Sequence, residues 1–393
     1  MRILILGDSA HLKSGYANII REIGRGLVKE GHEVAQIGWY QSEAANDEEI
    51  GFPIYPINSD DPYGIKNFDS IVYKFKPDIV FGVQDPYALV WLPNMMTRNR
   101  FKFCFYVPID SGPIPSFWFP LLRNADKLIG FCNFAREEVK KSLHIEISVV
   151  YPGYDSNIFF EMNDGKDTIK ERNGFKDDFV FGYVGVNAVR KQPYRLIEAF
   201  SKVKKKHPNT KLFMHTQVVN EKEGWNLNEA AVQTGLKPND VLFSSSAGPF
   251  GIEIEKMNLI YNLFDVLCLP SNSEGFGLPI LEAAACGVPT IATNYSSMPE
   301  LIEGHGELVK PRDWIMHNPY CQKRALIDID SLASRMCKMV ENKQLLNQYS
   351  KKVKEWASKY TWDKQIGKFI QEIITTERNL EERKIEKFSL LKI

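Results

Sequence analysis

The chain has 393 residues, 44% hydrophobic and 25% charged, the make-up of a folded globular protein rather than a disordered or fibrous one. Lys+Arg and Asp+Glu both total 49, so no net charge points to nucleic acid or to a membrane surface. The length suggests two or three domains of roughly 100–200 residues, large enough to build cores without disulfides or metals.

Strand-like apolar runs alternate with helical patterns for most of the chain. "RILIL" (2–6) leads through Gly7-Asp8-Ser9 to a helix beginning near Gly15, with Ile19, Ile20, Ile23 and Leu27 at helical spacing and a stop at Gly31. "HEVAQIGW", "DIVFGV" (78–83), "FKFCFYVP" (101–108), "DKLIGFC" (126–132) and "ISVVYP" (147–152) follow as further strands separated by helices. A polar, broken stretch over 153–178 reads as a linker. A second series then runs "FVFGYVG" (179–185), helix "PYRLIEAFSKVKKKH", "KLFMHT" (211–216), "VLFSSS", a helix over 254–264, "VLCLPS" (266–271), a short helix and "VPTIATN". Short, continuously apolar strands between helices predict parallel, doubly wound α/β sheets. The expected architecture is two Rossmann-like domains, 1–165 and 166–360, facing across a cleft. A charged helical segment, 361–393, is expected to pack back on the first domain.

The six cysteines, Cys104, Cys132, Cys268, Cys286, Cys321 and Cys337, include no C-x-x-C pair, and several sit in apolar runs. They read as buried free thiols of a reducing compartment. The N-terminus lacks a cleavable signal pattern and no run reaches the ~18 apolar residues of a membrane span. A cytoplasmic protein is expected, with peripheral contact at the inner membrane face left open.

The chemistry concentrates in "SEGFGLPILEAAACG", Ser273 to Gly287. Pro279 suits a first helical turn and Gly287 a stop, which predicts a helix over about 279–286. Its free N–H groups and positive dipole end lie beside Gly275, Phe276, Gly277 and Leu278, where two glycines allow an anion close approach. Glu282 lies in the first turns of this helix, and Glu274 at the strand end. Carboxylates repel phosphate and are suited to accept hydrogen bonds from hydroxyls, one set on a ribose and one on a sugar. A nucleoside diphosphate sugar has that chemistry. Read alone, the same residues also fit dipole compensation and a plain turn.

"PSNSEGFGLPILEAAACGVPTIATNYSSMPELI" resembles the donor-site signature of retaining glycosyltransferases of family 4, with the GT-B fold and paired glutamates spaced E-x7-E. "KSGYANIIREIGRGLVKEGHEV", "KPDIVFGVQDPY", "ADKLIGFCNFAREEVKKS", "VVYPGYDSNIF" and "VLFSSSAGPFGIEIEKMNLIYNLFDVLCLPS" resemble further family elements in the same order. The resemblance implies that Glu274 holds the donor sugar and helps stabilise positive charge at its anomeric carbon. It implies that Glu282 binds the ribose, that the N–H groups of Gly275, Phe276, Gly277 and Leu278 meet the diphosphate, and that Gly15 lets donor phosphate or acceptor approach.

Two departures stand out. Val186 follows Gly185 where the family usually has an arginine, so Arg190 and Lys191 of "VRK" become the phosphate cations. Ile109 stands where a first-domain histidine is usual, and leaves Asp110 at that strand end, facing sugar or acceptor and a weak general base. Phe117, Trp118 and Phe119 are candidates for the acceptor side or for core packing, and His11, His215 and His305 fall near loops. No histidine spacing suggests a metal set, and no metal or cofactor is expected beyond a UDP- or GDP-linked donor.

The resemblance therefore implies a retaining hexosyltransferase that acts on an acceptor hydroxyl of a glycan, lipid or protein. A nucleotide-sugar epimerase and a catalytically silent sugar-nucleotide binder are the alternatives. A dehydrogenase is disfavoured because "LILGDSAHLKSG" is not G-x-G-x-x-G. Donor identity, acceptor and oligomeric state are not legible in the residues.

Overall fold

The computed structural model describes residues 1–41, 48–58, 60–244, 252–316 and 320–378. The first sheet contains β1 (Arg2–Asp8), β2 (Glu33–Trp39), β3 (Ile54–Pro56), β4 (Ile79–Val83), β5 (Lys102–Val107), β6 (Lys127–Gly130) and β7 (Ser148–Val149). Their order is β3-β2-β1-β4-β5-β6-β7, every pair parallel, with Leu4 of β1 registered between Ala35 and Val80. The second sheet contains β8 (Phe179–Val184), β9 (Thr210–His215), β10 (Val241–Phe243), β11 (Val266–Leu269), β12 (Thr290–Thr293) and β13 (Glu307–Val309). Its order, β10-β9-β8-β11-β12-β13, repeats the doubly wound plan and is again parallel throughout. The order reverses between β1 and β4 in one sheet and between β8 and β11 in the other. Ligand crevices of open α/β sheets form at such switch points.

Helices on both faces explain why these strands are apolar without alternation: Ile3, Leu4, Ile5 and Leu6 are all fully buried. The first helix, Gly15–Lys29, starts where Ser14 accepts the Ala17 N–H at 3.1 Å and buries the stripe Ile19, Ile20, Ile23 and Leu27. A large core lies around the first sheet and continues across the domain boundary through Phe276, whose ring meets Tyr151 edge-on at 5.3 Å. A second core fills the space between the second sheet and its outer helices.

Three features differ from the sequence reading. The stretch 153–178 is packed rather than a bare linker. It carries the helix Lys166–Arg172, and its Lys170 is buried with the ammonium 2.7 Å from Asp265. An antiparallel hairpin, β14 (Pro311–Met316) and β15 (Lys323–Ile327), follows the second sheet where no element was expected. Five of the six cysteines are buried free thiols, but Cys321, beside this hairpin, is exposed.

The helix Trp362–Ile374 lies against the first helix, with Ile366 over Gly26. It is tied to the first domain by the Lys127–Glu372 ion pair at 2.8 Å. Its start is anchored by the Trp362 N–H donating to the Tyr154 carbonyl at 2.9 Å. The tail 379–393 and the segment 245–251, both part of the sequence expectations, lie outside the described residues. Among the described residues no helix is long and apolar enough to cross a membrane.

Candidate functional site

The glutamate loop follows β11 at the switch point of the second sheet. Gly277 takes φ +106°, a value that favours glycine, and the helix Leu278–Ala285 begins directly after it, one residue earlier than expected, with Pro279 in its first turn. The loop's carbonyls are held: Ser297 Oγ donates to the Glu274 and Phe276 carbonyls at 3.0 and 2.6 Å, and the Cys132 thiol to Gly275 O at 3.2 Å. None of the described hydrogen bonds uses the N–H of Gly275, Phe276, Gly277 or Leu278. Those four donors remain at the positive end of the helix, an arrangement suited to an anion. The first domain closes over them. A Cβ on Gly15 would sit 2.9 Å from Leu278 Cδ1, and one on Gly275 would sit 3.0 Å from Pro108 Cβ.

Arg190 and Lys191 come from the 3-10 turn Val189–Lys191 after β8. Sequence reading treats acid and cations as separate halves of the site, but the fold joins them. Lys191 Nζ donates to Glu274 Oε1 at 2.5 Å, and Arg190 Nη1 donates to the Ser273 carbonyl at 2.7 Å and to Glu274 Oε2 at 3.3 Å. Burial pushes the Glu274 carboxyl up, yet Lys191 and Arg190 outweigh it and hold the group at about 2. Burial lowers Lys191; it also works against Arg190, whose charge is nevertheless favoured by Glu274, Asp110 and Asp85. Val186, at the position of the usual arginine, is 57% exposed.

Glu282 sits apart from this cluster. Its Oε2 accepts the Tyr261 hydroxyl at 2.6 Å, and burial, only partly offset by that bond, pushes its carboxyl up to about 7. It lines a cavity of about 250 Å³ together with Arg21, Arg25, Tyr154 and Leu278.

Asp110 is not the free carboxylate that the sequence suggests. Arg324 of β15 grips it, Nη1 at 3.0 Å and Nη2 at 3.3 Å, and also donates to Ser273 Oγ at 2.7 Å. This clamp makes Asp110 unsuited to act as a general base, because its lone pairs face a fixed cation. Arg324 was missed because its only local mark is weak, an arginine at the head of the apolar run "ALI" after Lys323. Asp8 and Asp85, at the switch point of the first sheet, were missed as well. Asp8 accepts from Ser14 Oγ and Gln84 Nε2 at 2.6 and 2.7 Å, and Asp85 accepts the Tyr16 hydroxyl at 3.1 Å.

Of the three neighbouring aromatics, Trp118 is buried, Phe119 is half-buried and Phe117 is exposed. His215 Nδ1 lies 2.8 Å from Ser244 Oγ, and His305 packs against Trp356 at 5.1 Å. Among the described residues the grouping of three metal-type ligands is His207, Cys337 and Glu341. It stands at the C-terminal ends of the helices Pro193–Lys206 and Ile329–Glu341, a full helix length from Lys191.

Residues 165–356 match the family model described as Glycosyl transferases group 1. An uncharacterized glycosyltransferase of Methanocaldococcus jannaschii is 25% identical over 321 residues, covering 71% of this chain and 75% of the relative. The D-inositol 3-phosphate glycosyltransferase of Corynebacterium jeikeium is 31% identical over 180 residues, 43% of this chain and 41% of the relative. Among solved structures, Anabaena HepE in complex with UDP and glucose superposes with a TM-score of 0.75 over 96% of this chain and 100% of its own, at 17% identity. That likeness shows the fold: two Rossmann-like parallel-sheet domains facing each other, the GT-B arrangement.

Proposed function

We propose that this chain, whose residues 165–356 match the model of group 1 glycosyl transferases, moves a hexose from a nucleoside diphosphate sugar to an acceptor hydroxyl with retention of anomeric configuration. The observation that carries the reading is the convergence of Lys191 and Arg190 on Glu274 beside the N-terminus of the helix Leu278–Ala285. In this reading the incoming diphosphate takes Arg190, Lys191 and the N–H groups of Gly275 to Leu278 as its partners. Glu274, relieved of its cations, accepts hydroxyls of the sugar and stabilises positive charge at the anomeric carbon. Glu282 accepts ribose hydroxyls from the cavity it lines, and Gly15, whose missing side chain lets Leu278 pack against it, brings the first helix up to the diphosphate site. The bond from the anomeric carbon to the phosphate oxygen breaks, the acceptor oxygen bonds to that carbon on the same face, and the acceptor proton passes to the departing phosphate.

Two side-chain cations and a helix end supply the charge that a diphosphate leaving group needs, so we propose catalysis without a metal. The complex of Anabaena HepE with UDP and glucose supports a uridine nucleotide as the first donor to try, with a guanosine nucleotide next. The proposed place of work is the cytoplasm, with peripheral membrane contact depending on the acceptor.

Thermal stabilisation by a panel of UDP- and GDP-sugars tests the donor, since a ligand at ~100 times its Kd adds about 2.7 kcal/mol. With that donor, Glu274→Ala is expected to lower transfer roughly a hundredfold to a thousandfold while the fold persists. Near-normal turnover would sink the role of Glu274. Epimerised donor in the absence of acceptor would point to an epimerase. Binding with neither transfer nor slow hydrolysis would point to a silent binder, the reading that Val186 and the clamped Asp110 favour.

A further inference from the structure

Across the cleft from the glutamate loop, the mouth of the first domain combines a charged floor with an aromatic shelf. The floor holds three carboxylates, from the ends of three neighbouring strands: Asp8 on β1, Asp85 after β4 and Asp110 after β5. Asp8 and Asp110 are engaged by Ser14, Gln84 and Arg324. Asp85 is partly exposed, accepts only the Tyr16 hydroxyl and forms no ion pair among the described residues. Burial first, then the charge of Asp110, pushes its carboxyl up to about 6, which still leaves it an anion at neutral pH.

The shelf begins two residues later. Tyr87 stacks on Tyr320 at 5.9 Å and 23° between planes, and Phe117 lies 5.4 Å from the same ring. Phe117 is 48% exposed and Tyr87 36%. Tyr320 comes from the second domain, so the shelf bridges the cleft. Behind it, the buried Trp118 indole packs at 5.7 Å from Tyr320, and its Nε1–H has no hydrogen-bond partner among the described residues. Large aromatic faces left in solvent beside an acceptor-only carboxylate match one kind of molecule: apolar on its ring faces, rich in hydroxyl donors at its edges, and without negative charge.

We propose that this mouth is the acceptor subsite for an uncharged sugar, whose ring lies on Tyr87, Tyr320 and Phe117 and whose hydroxyls donate to Asp85. The proposal rests on the donor reading above and adds the class of acceptor. Phosphorylated or carboxylated acceptors are disfavoured because their charge would face Asp8 and Asp85, while the charge of Asp110 is already balanced by Arg324. A purely lipid acceptor is disfavoured because it would strip water from Asp85 without offering a donor.

The full-length chain is tested with the stabilising nucleotide sugar. Maltose, cellobiose and α-1,6-mannobiose are compared with glucose 6-phosphate, mannose 6-phosphate and glucuronic acid. Saturation-transfer NMR reads sugar binding directly, and release of nucleoside diphosphate reads turnover. At least one neutral sugar is expected to bind and react, with every charged one about tenfold weaker or more. Phe117→Ala and Tyr87→Ala should each raise the KM of the neutral acceptor about tenfold, while donor Kd moves far less. Asp85→Asn should narrow the discrimination against phosphate. A sugar phosphate used as well as its neutral counterpart, or an acceptor KM unmoved in both aromatic variants, overturns the proposal. A chain that binds neutral sugars on this shelf but no nucleotide sugar overturns the donor reading instead.

Discussion

Glu274 and Glu282 lie eight positions apart in one loop and helix, yet the fold gives them opposite protonation behaviour. Glu274 has two cations within hydrogen-bond reach and is held at about 2; Glu282 has a tyrosine hydroxyl and is pushed to about 7. The depressed group contributes stability above its ordinary value of 4.5, and that contribution is lost as pH falls toward about 2. The raised group contributes stability that is complete below 4.5 and is lost as pH rises through about 7. Glu274 is therefore an anion throughout the working range, whereas Glu282 gains its full accepting capacity only above neutrality. Affinity for the nucleoside diphosphate is expected to rise with pH between about 6 and about 8, by no more than ~10-fold per unit. Glu282→Gln should flatten that profile. Calorimetric titrations across this range check it, and a variant that keeps the wild-type slope would remove Glu282 from the nucleoside site. The sequence marked both acids as candidates, but it could not rank their acidity, because Lys191 and Tyr261 reach them only through the fold.

At the scale of elements, Gly153 shows how a local motif acquires its reason from a distant helix. A Cβ there would lie 2.8 Å from Trp362 N and 2.9 Å from its Cα, both backbone atoms that cannot swing aside. Glycine is what lets the end of the first domain lie against the helix that returns to it. Gly153→Ala is expected to cost about 1–3 kcal/mol, read as a lower denaturation midpoint. Unchanged unfolding would mean that the returning helix shifts freely. The hairpin of β14 and β15 is among the elements that sequence reading missed. Pro311–Met316 is mostly exposed, and its apolar residues are confined to the short Trp-Ile-Met end, so it carries neither the alternation nor the longer apolar run that marks a strand. It nonetheless delivers Arg324 to Asp110, and with it one wall of the site.

Across the whole molecule, one carboxylate ties the two domains together at four points. Glu300 of the second domain accepts the N–H groups of Asn133 and Phe134 at 3.0 and 3.1 Å, the Asn133 side-chain amide at 2.8 Å and the Tyr151 hydroxyl. Those N–H groups open the helix Asn133–Leu143 of the first domain, so an acid from one domain caps a helix of the other. Glu300→Ala leaves the backbone N–H groups of Asn133 and Phe134 without this partner, at a cost of about 2 kcal/mol. It should also enlarge the radius of gyration in small-angle scattering, as the cleft opens. A variant with unaltered scattering and unaltered stability would show that Phe276 and its apolar neighbours hold the domains without it.

The sequence by itself determined the two parallel sheets, the edge on which the candidate site lies and the loop proposed as its donor half. These are written in short-range signals: apolar runs, helix stops, and a glycine turn ahead of a proline-led helix. The tertiary structure alone decided how the charges pair. Lys191 meets Glu274 across 83 positions, Asn133 meets Glu300 across 167, and Arg324 meets Asp110 across 214. No local pattern encodes such contacts, because side-chain electrostatics depend on distance in space, and folding brings together residues that the sequence holds far apart. The acceptor mouth shares this origin. Asp85, Phe117 and Tyr320 are unremarkable where they stand in the chain, and only the closing of two domains makes them one surface.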